Sequence, residues 1–286
     1  MAWLSIATSI GTIVLKFCAW YVTGSVSLWS DALEALVNLA AGLVALGAIT
    51  LAHQPADDTH HYGHDKAEYF SSGVEGALIL VAAIAIIWSA TQRLAAPQPL
   101  ENLAVGLSVA FLAGVMNLLT ARTMLKVAKQ RDSITIEADA KHLLTDVWTS
   151  VGVIGGLLVV WWMPRWAILD PLMALAVAVH ILFTGASLLR RSADGLMDAA
   201  LPPGEVRRAQ ALIAAELPVD ASFHALRTRK AGSRRFLEFH LTVPGAMTVA
   251  ESHRLCDRIE ASLEAALARA AVTIHVEPGE SQAPHR

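Results

Sequence analysis

Six long apolar runs dominate the first two thirds of the chain. An α-helix needs about 20 residues to cross the hydrocarbon core of a bilayer. Each run reaches about that length, so the pattern predicts a transmembrane domain over residues 1–198. The predicted helices lie near 3–23, 28–51, 70–92, 101–125, 139–163 and 166–189.

The pattern changes after about residue 199, where shorter amphipathic and alternating segments replace the apolar runs. Helical spacing and strand alternation predict the order α-β-β-α-β, with a turn at 231–233 between the first two strands. The predicted elements are helix 205–217, strands 223–228 and 236–243, helix 249–270 and strand 272–276. This order predicts a small α+β domain over 199–281, an open sheet with helices on one face, followed by a tail at 282–286.

Composition agrees with a membrane protein. The chain is 55% hydrophobic and 16% charged, whereas soluble domains carry about 25% charged residues. A net charge of −3 argues against a nucleic-acid partner. Cys18 and Cys256 are far apart and outside any CxxC motif, so we expect neither a disulfide nor thiolate–zinc chemistry.

Basic residues predict the orientation of the helices. Arg122, Lys126 and Lys129 lie between the fourth and fifth predicted helices, and Arg190-Arg191 follow the sixth. Because short cytoplasmic loops are enriched in lysine and arginine, we expect a multi-pass protein in the bilayer with both termini in the cytoplasm.

Polar side chains form one stripe in the second predicted helix and another in the fifth. Each stripe has the spacing i, i+3, i+7, which is one face of a helix. Ionisable groups at membrane depth are costly and usually line a polar path. The stripes consist of Asp31, Glu34 and Asn38, and of Asp139, His142 and Asp146.

The i, i+4 pairs within these stripes are candidate ligands for a transported divalent metal ion. Two carboxylates, an imidazole and an amide suit an ion such as zinc and neutralise its charge. We therefore predict a metal site made by Glu34, Asn38, His142 and Asp146. The alternative to this metal site is a polar seam that holds the helices together. Asp31 and Asp139 are interpreted as supporting or helix-entry residues rather than as direct ligands.

Histidines also cluster outside the apolar runs. In the loop after the second helix, Asp57, His60 and His64 have the composition of a zinc site. The alternative is a solvated polar loop.

A further group of potential ligands is dispersed through the predicted soluble domain. Convergence of these side chains would form one or two metal positions, whereas each alone would be a surface residue. The members are His224, His240, His253, His275 and Glu277.

These motifs resemble those of the cation diffusion facilitator family, from Trp3 to about Pro278. The matching segments are 24–28 with 30–32, 54–58, 61–68, and His142 with Asp146. The resemblance implies a homodimer in the inner (plasma) membrane with a metallochaperone-like cytoplasmic domain. It implies proton-coupled export of zinc or a related divalent ion, and hence a transporter rather than an enzyme.

The resemblance assigns the three predicted groups to transport, loop and cytoplasmic metal sites. It also implies an interlock between Lys66 and Asp198 at the membrane surface. Many members of the family have Asp or His followed by Asp in the second helix, where this chain has Glu34 and Asn38. The change removes one formal charge from the site and therefore bears on which metal is preferred. Zn²⁺ remains the first expectation, and Fe²⁺, Co²⁺, Mn²⁺ and Cd²⁺ remain open.

Two other classes of function remain as alternatives. A membrane-anchored metal sensor or buffer would use the soluble histidines but needs only one anchor. A passive channel would bind its ion weakly and would not depend on a pH gradient.

Overall fold

The computed structural model describes residues 2–131 and 134–279. The chain divides into two compact units, Met1–Leu46 with Gly73–Leu189, and Gly47–Ser72 with Arg190–Arg286. The loop that carries Asp57, His60 and His64 therefore belongs to the same compact unit as the soluble domain.

Within the described residues, six helices are long and apolar enough to cross a membrane, which confirms the predicted fold class. Their bounds are α1 Ala2–Thr23, α2 Val26–Ala52, α3 Ala67–Ala95, α4 Leu103–Arg131, α5 Ile134–Trp162 and α6 Leu169–Leu196, with a short 3₁₀ turn at Pro164–Trp166. Several helices run further than their apolar stretches, because polar residues at a helix end lower the hydropathy without breaking the backbone hydrogen bonds. The continuation of α6 past Arg190-Arg191 is one example.

The turn between α1 and α2 is fixed by a carboxylate from α6. Gly24 adopts a left-handed conformation (φ 64°) that suits glycine. The backbone N–H groups of Val26 and Ser27 donate to Asp170 at 2.8 and 3.0 Å, and Ser25 Oγ donates to it at 2.6 Å. An acidic side chain is favourable at a helix N-terminus, so Asp170 both caps α2 and joins it to α6.

Small residues let the helices of the first unit pack closely. A Cβ atom on Gly76 of α3 would lie 3.0 Å from the carbonyl oxygen of Gly185 in α6. Close backbone approach through small residues is typical of helix association in membranes. Large apolar side chains such as Trp88 and Phe183 instead point outward, as expected for helices that face lipid.

The soluble domain has the predicted α-β-β-α-β order. Its elements are α7 Pro203–Glu216, β1 Ser222–Ala231, β2 Arg234–Val243, α8 Val249–Ala266 and β3 Ala270–Pro278. The sheet order is β1-β2-β3, antiparallel for the first pair and parallel for the second. Helix α8 ends before the predicted residue 270, because Ala270 already pairs with Arg235 at the start of β3.

The central strand supplies the core of this domain. Leu237, Phe239 and Leu241 of β2 are almost fully buried, together with Ile213 of α7 and Ile259 of α8. Both helices thus cover one face of the sheet. Helix α8 begins with a capping box, in which Thr248 and Glu251 satisfy each other's backbone N–H groups.

Candidate metal sites and their polar supports

The stripe on α2 faces an acidic residue of α5 inside the first unit. Glu34, Asn38 and Asp146 are each partly buried. Glu34 lies close enough to Asp146 and Asp31 for electrostatic interaction with both carboxylates. The side chains of Asp139 and His142 lie outside the described part of the structure, so their positions stay predictions.

Asp31 is held in a buried polar cluster that we call the Lys16 cluster, made of Lys16, Asp31 and Ser150. Lys16 Nζ lies 2.9 Å from Asp31 Oδ1. Ser150 Oγ lies 3.1 Å from each oxygen of the same carboxylate. Lys16 and Ser150 are each 2% exposed and Asp31 is 5% exposed. Both oxygens of Asp31 are thus engaged, which is consistent with a supporting role.

Lys16 and Ser150 were not among the residues that the sequence singled out. A lone lysine within an apolar run was the available signal, since ionisable groups in membrane segments usually have a partner. The partner could not be read from the sequence, because Asp31 lies on a different helix.

The loop residues Asp57, His60 and His64 come together as predicted, with ligand atoms within 4.8 Å of one another. Asp57 Oδ1 lies 3.5 Å from His60 Nδ1, and Asp57 Oδ2 lies 3.4 Å from His64 Nε2. The other ring nitrogen of His64, Nδ1, is buried and has no hydrogen-bond partner within the described ranges. Two imidazoles and a carboxylate at this spacing fit a zinc-type ion.

Local hydrogen bonds prepare Asp57 to bind a cation. Thr59 donates to Asp57 Oδ1 from its hydroxyl at 2.8 Å and from its backbone N–H at 2.9 Å, and the His60 N–H donates at 2.7 Å. These bonds stabilise the carboxylate and lower the pKa of Asp57 to about 2. Asp57 is therefore ionised at any physiological pH.

The loop is clasped to the soluble domain by Asp65, which is 4% exposed. Its carboxylate lies 3.1 Å from Arg269 Nη2 and 3.6 Å from Arg234 Nε. At the β1–β2 turn, a Cβ atom on Gly232 would lie only 2.7 Å from the Asp65 carbonyl oxygen. Tyr62 packs edge-on against Phe236 of β2, with ring centroids 6.0 Å apart. The sequence did not reveal this contact, because its partners are far apart along the chain.

Lys66 and Asp198 form the expected ion pair within one chain, with Lys66 Nζ 2.9 Å from Asp198 Oδ1. Arg229 Nη1 lies 3.4 Å from the same oxygen. The hydrogen bond from Lys66 outweighs the effect of burial and lowers the pKa of Asp198. Whether this pair also locks a dimer stays a prediction.

Three histidines form a row across the sheet of the soluble domain. His224 pairs with His240 in the β1–β2 register, and His240 pairs with His275 in the β2–β3 register. Glu277 Oε1 lies 2.7 Å from His240 Nδ1 and 3.7 Å from His275 Nε2. Glu277 Oε2 lies 3.5 Å from His224 Nε2.

Glu277 is the centre of this group. Burial raises its pKa, but the hydrogen bond and the charges of the surrounding imidazoles prevail, so the pKa is lowered. The ligand atoms of His224, His240 and Glu277 lie within 4.8 Å of one another, a spacing that a metal ion could bridge.

His253 is the one described member of the predicted set that lies apart from this row. It is exposed on α8 with Nε2 3.7 Å from Asp257 Oδ1, one turn along the same helix. The strand residues could be placed together from the sequence because the register of a sheet aligns residues on neighbouring strands. The direction of His253 depends on how α8 is rotated, which the sequence does not determine.

Comparison with known proteins covers nearly the whole chain. Residues 2–197 match the cation efflux transmembrane domain, and residues 201–279 match the cytoplasmic domain of cation efflux proteins. An uncharacterized transporter of Synechocystis sp. is 46% identical over 278 residues, covering 96% of this chain and 88% of that protein. The cation-efflux pump FieF of Pectobacterium atrosepticum is 34% identical over 272 residues, covering 95% of this chain and 90% of the pump.

Two solved structures are similar to part of the chain. A structure of CzrB, described as a candidate zinc transporter, is 49% identical with a TM-score of 0.26, covering 27% of this chain and 96% of that one. The metal-bound C-terminal domain of the CzcD transporter from Thermotoga maritima is 29% identical with a TM-score of 0.24, covering 27% and 94%.

Proposed function

The chain belongs to the cation diffusion facilitator family of cation efflux proteins, and from this premise we propose that it is a homodimeric antiporter exchanging cytoplasmic zinc for protons. It is a multi-pass membrane transporter of metal cations. The proposal adds the ion, the coupling to protons, the dimer and the inner membrane with both termini in the cytoplasm.

The observation that carries the proposal is the approach of Glu34 and Asp146 from two different helices inside an apolar bundle. Two carboxylates taken out of water repel each other, and the single charge of Lys16, which also contacts Asp31, is not enough to neutralise them. Asn38 lies one turn from Glu34, and His142 one turn before Asp146. Glu34, Asn38, His142 and Asp146 form the proposed transport site.

Competition between protons and metal at these ligands accounts for antiport. Carboxylates and imidazole bind either a proton or a metal ion, so metal binding releases protons. A cavity open to the cytoplasm takes up metal, and a cavity open to a more acidic exterior takes up protons and releases the metal. Rocking of helices around a fixed site is the usual basis of such alternating access.

Zinc is the first choice of ion because mixed oxygen and nitrogen ligands suit it. The amide of Asn38 leaves Fe²⁺, Mn²⁺, Co²⁺ and Cd²⁺ as alternatives, since ligand type and geometry decide selectivity rather than affinity order.

The loop site and the soluble histidine row are proposed as regulatory metal sites. An ion that binds only the folded, docked form of a domain stabilises that form. Binding at Asp57, His60 and His64, or at His224, His240, His275 and Glu277, would then raise activity when cytoplasmic metal is abundant. A membrane-anchored sensor or buffer would use the same two groups, but it would not require Glu34 and Asp146.

The test is zinc flux through purified protein in sealed vesicles. Asp146→Ala removes a carboxylate ligand and should reduce flux by at least about a hundredfold, because loss of a charged ligand costs several kcal/mol. Thr145→Ala is the matched control, since Thr145 is exposed and its hydroxyl donates to Lys141 O on its own helix. Flux of the folded Asp146→Ala protein at the wild-type rate would refute the proposed site.

A further inference from the structure

The Lys16 cluster places one buried cation beside the carboxylates of the proposed transport site. Lys16 Nζ contacts Asp31 at 2.9 Å and also interacts electrostatically with Asp146 and Glu34. A buried ion pair is often less stable than an apolar pair of the same size, because both charges lose their hydration. Helix packing alone would therefore be served better by two apolar residues, which points to a use for the charges themselves.

The charges of these side chains add up to the complement of a divalent ion. In the metal-bound state the carboxylates are deprotonated, so Asp31, Glu34 and Asp146 then contribute three negative charges and Lys16 contributes one positive charge. The balance is therefore two negative charges, which one divalent ion neutralises. Without Lys16, the loaded site would keep an uncompensated negative charge in a medium of low dielectric, where such a charge is costly.

The geometry also explains how Asp31 is kept away from the ion. Ser150 lies one turn after Asp146 on α5, so the two side chains share a helix face. Ser150 and Lys16 together occupy both oxygens of Asp31. Asp31 thus lies next to the proposed ligands while its own oxygens are bonded elsewhere.

We infer that Lys16 and Asp31 are a positioning pair for transport, which fixes the charge of the site and keeps a third carboxylate out of the metal's ligand shell. The inference rests on the proposed function and goes further, because it names residues that touch no ion. An ordinary structural ion pair makes a different prediction, since either single substitution would then impair the protein in the same way.

The KM for Zn²⁺ in vesicle flux separates the two roles. Lys16→Met leaves an extra negative charge and a released Asp31, so the KM should fall by about tenfold and the kcat should fall as release slows. Asp31→Asn leaves an ammonium facing the incoming cation, so the KM should rise by about tenfold. The double variant Lys16→Met/Asp31→Asn restores the net charge, and its KM should return to within about threefold of wild type.

Thr12→Val is the matched control. Thr12 is buried one turn before Lys16, and its hydroxyl bonds to Ser9 O on the same helix. Thr12→Val should leave the KM for Zn²⁺ unchanged. Any change that it does cause measures the general effect of altering a buried polar residue of α1 and is subtracted from the effects of the Lys16 and Asp31 variants.

Opposite shifts of the two single variants with recovery in the double variant support the inference. Shifts in the same direction, without recovery, overturn it and make the pair structural. If a single variant does not fold, the double variant decides, since its misfolding or its loss of zinc transport also overturns the inference. Absence of zinc flux in the wild type would instead refute the proposed function together with the inference that rests on it.

Discussion

Asn38, with Glu34, forms the pair at which this chain differs from the pattern expected of the family, and Asn38 should influence which metal is carried. Asn38→Asp would add a third carboxylate beside Glu34 and Asp146 and so increase the number of hard, negatively charged oxygen ligands at the site. We expect the rate for Mn²⁺ relative to Zn²⁺ to increase by about tenfold, because hard oxygen ligands suit Mn²⁺ better. The measurement is flux of each metal under the same pH gradient, with Leu36→Met, an exposed position on α2, as control. An unchanged ranking of metals would show that position 38 does not contact the ion.

Asp57 should set the strength of zinc binding by the loop. With a pKa of about 2, its carboxylate takes up no proton between about pH 5 and pH 8, whereas an imidazole binds metal only when it is neutral. Zinc affinity should therefore decrease as the pH falls below neutrality. Asp57→Asn should lower the zinc affinity of the loop by about tenfold or more, because the group loses an ionised ligand. Zinc titrations in a His240→Ala/His275→Ala/Asp146→Ala background isolate the loop, and an unchanged zinc affinity would contradict this assignment.

At the scale of single residues, candidate ligands are easier to recognise in the sequence than the residues that support them. Glu34 and Asn38, or His275 and Glu277, are recognisable because potential ligands recur at helical or strand spacing. The partner of Lys16 lies on another helix, so only the contact between α1 and α2 brings it to Asp31.

Asp65 should determine whether the metal-binding loop stays attached to the soluble domain. Asp65→Asn removes the charge that lies between Arg234 and Arg269. These arginine side chains are 35% and 51% exposed and can be rehydrated, so we expect a loss of about 1–3 kcal/mol of local stability rather than global unfolding.

Amide hydrogen exchange measures the effect of Asp65→Asn directly. Exchange at residues 60–66 should become about tenfold faster or more in the variant. The exposed neighbour Asp58 provides the matched substitution, Asp58→Asn, which should leave exchange unchanged. Equal protection of the amides of residues 60–66 in both variants would show that the contacts of Asp65 with Arg234 and Arg269 do not hold the loop.

The three strands of the soluble domain should form a zinc site that is independent of the membrane helices. The domain core lies between Leu201 and Ile274, so a fragment from residue 199 onward should fold alone. Zinc should raise its melting temperature, because it binds only where the strands are in register. The double variant His240→Ala/His275→Ala should lose the increase, whereas His253→Ala should keep most of it. Calorimetry that detects no zinc binding by the wild-type fragment would reduce the row to surface histidines.

The elements themselves followed closely from the sequence, apart from their ends. Apolar runs of membrane length leave few alternatives to a helix, since every backbone polar group must be bonded within the segment. The ends depend on partners distant in sequence. Asp170 caps α2 from α6, and pairing of Ala270 with Arg235 converts the predicted end of α8 into the start of β3.

At the scale of the whole molecule, each compact unit has its own candidate metal chemistry. The first unit contains the carboxylates of the proposed transport site, and the second contains the loop group and the histidine row. A protein built only to sense metal would need the second set alone. The acidic residues and the Lys16 cluster inside six apolar helices are what a transporter needs in addition.

Coupling between zinc and proton movement tests the central claim most directly. The experiment measures zinc uptake and internal pH together in sealed vesicles, with a pH gradient and after an ionophore has removed it. Antiport predicts that zinc uptake depends on an opposing proton gradient, that protons leave the vesicles as zinc enters, and that both movements stop in Asp146→Ala. Zinc uptake of equal rate with and without the gradient, and with no movement of protons, would contradict the account and indicate a passive channel.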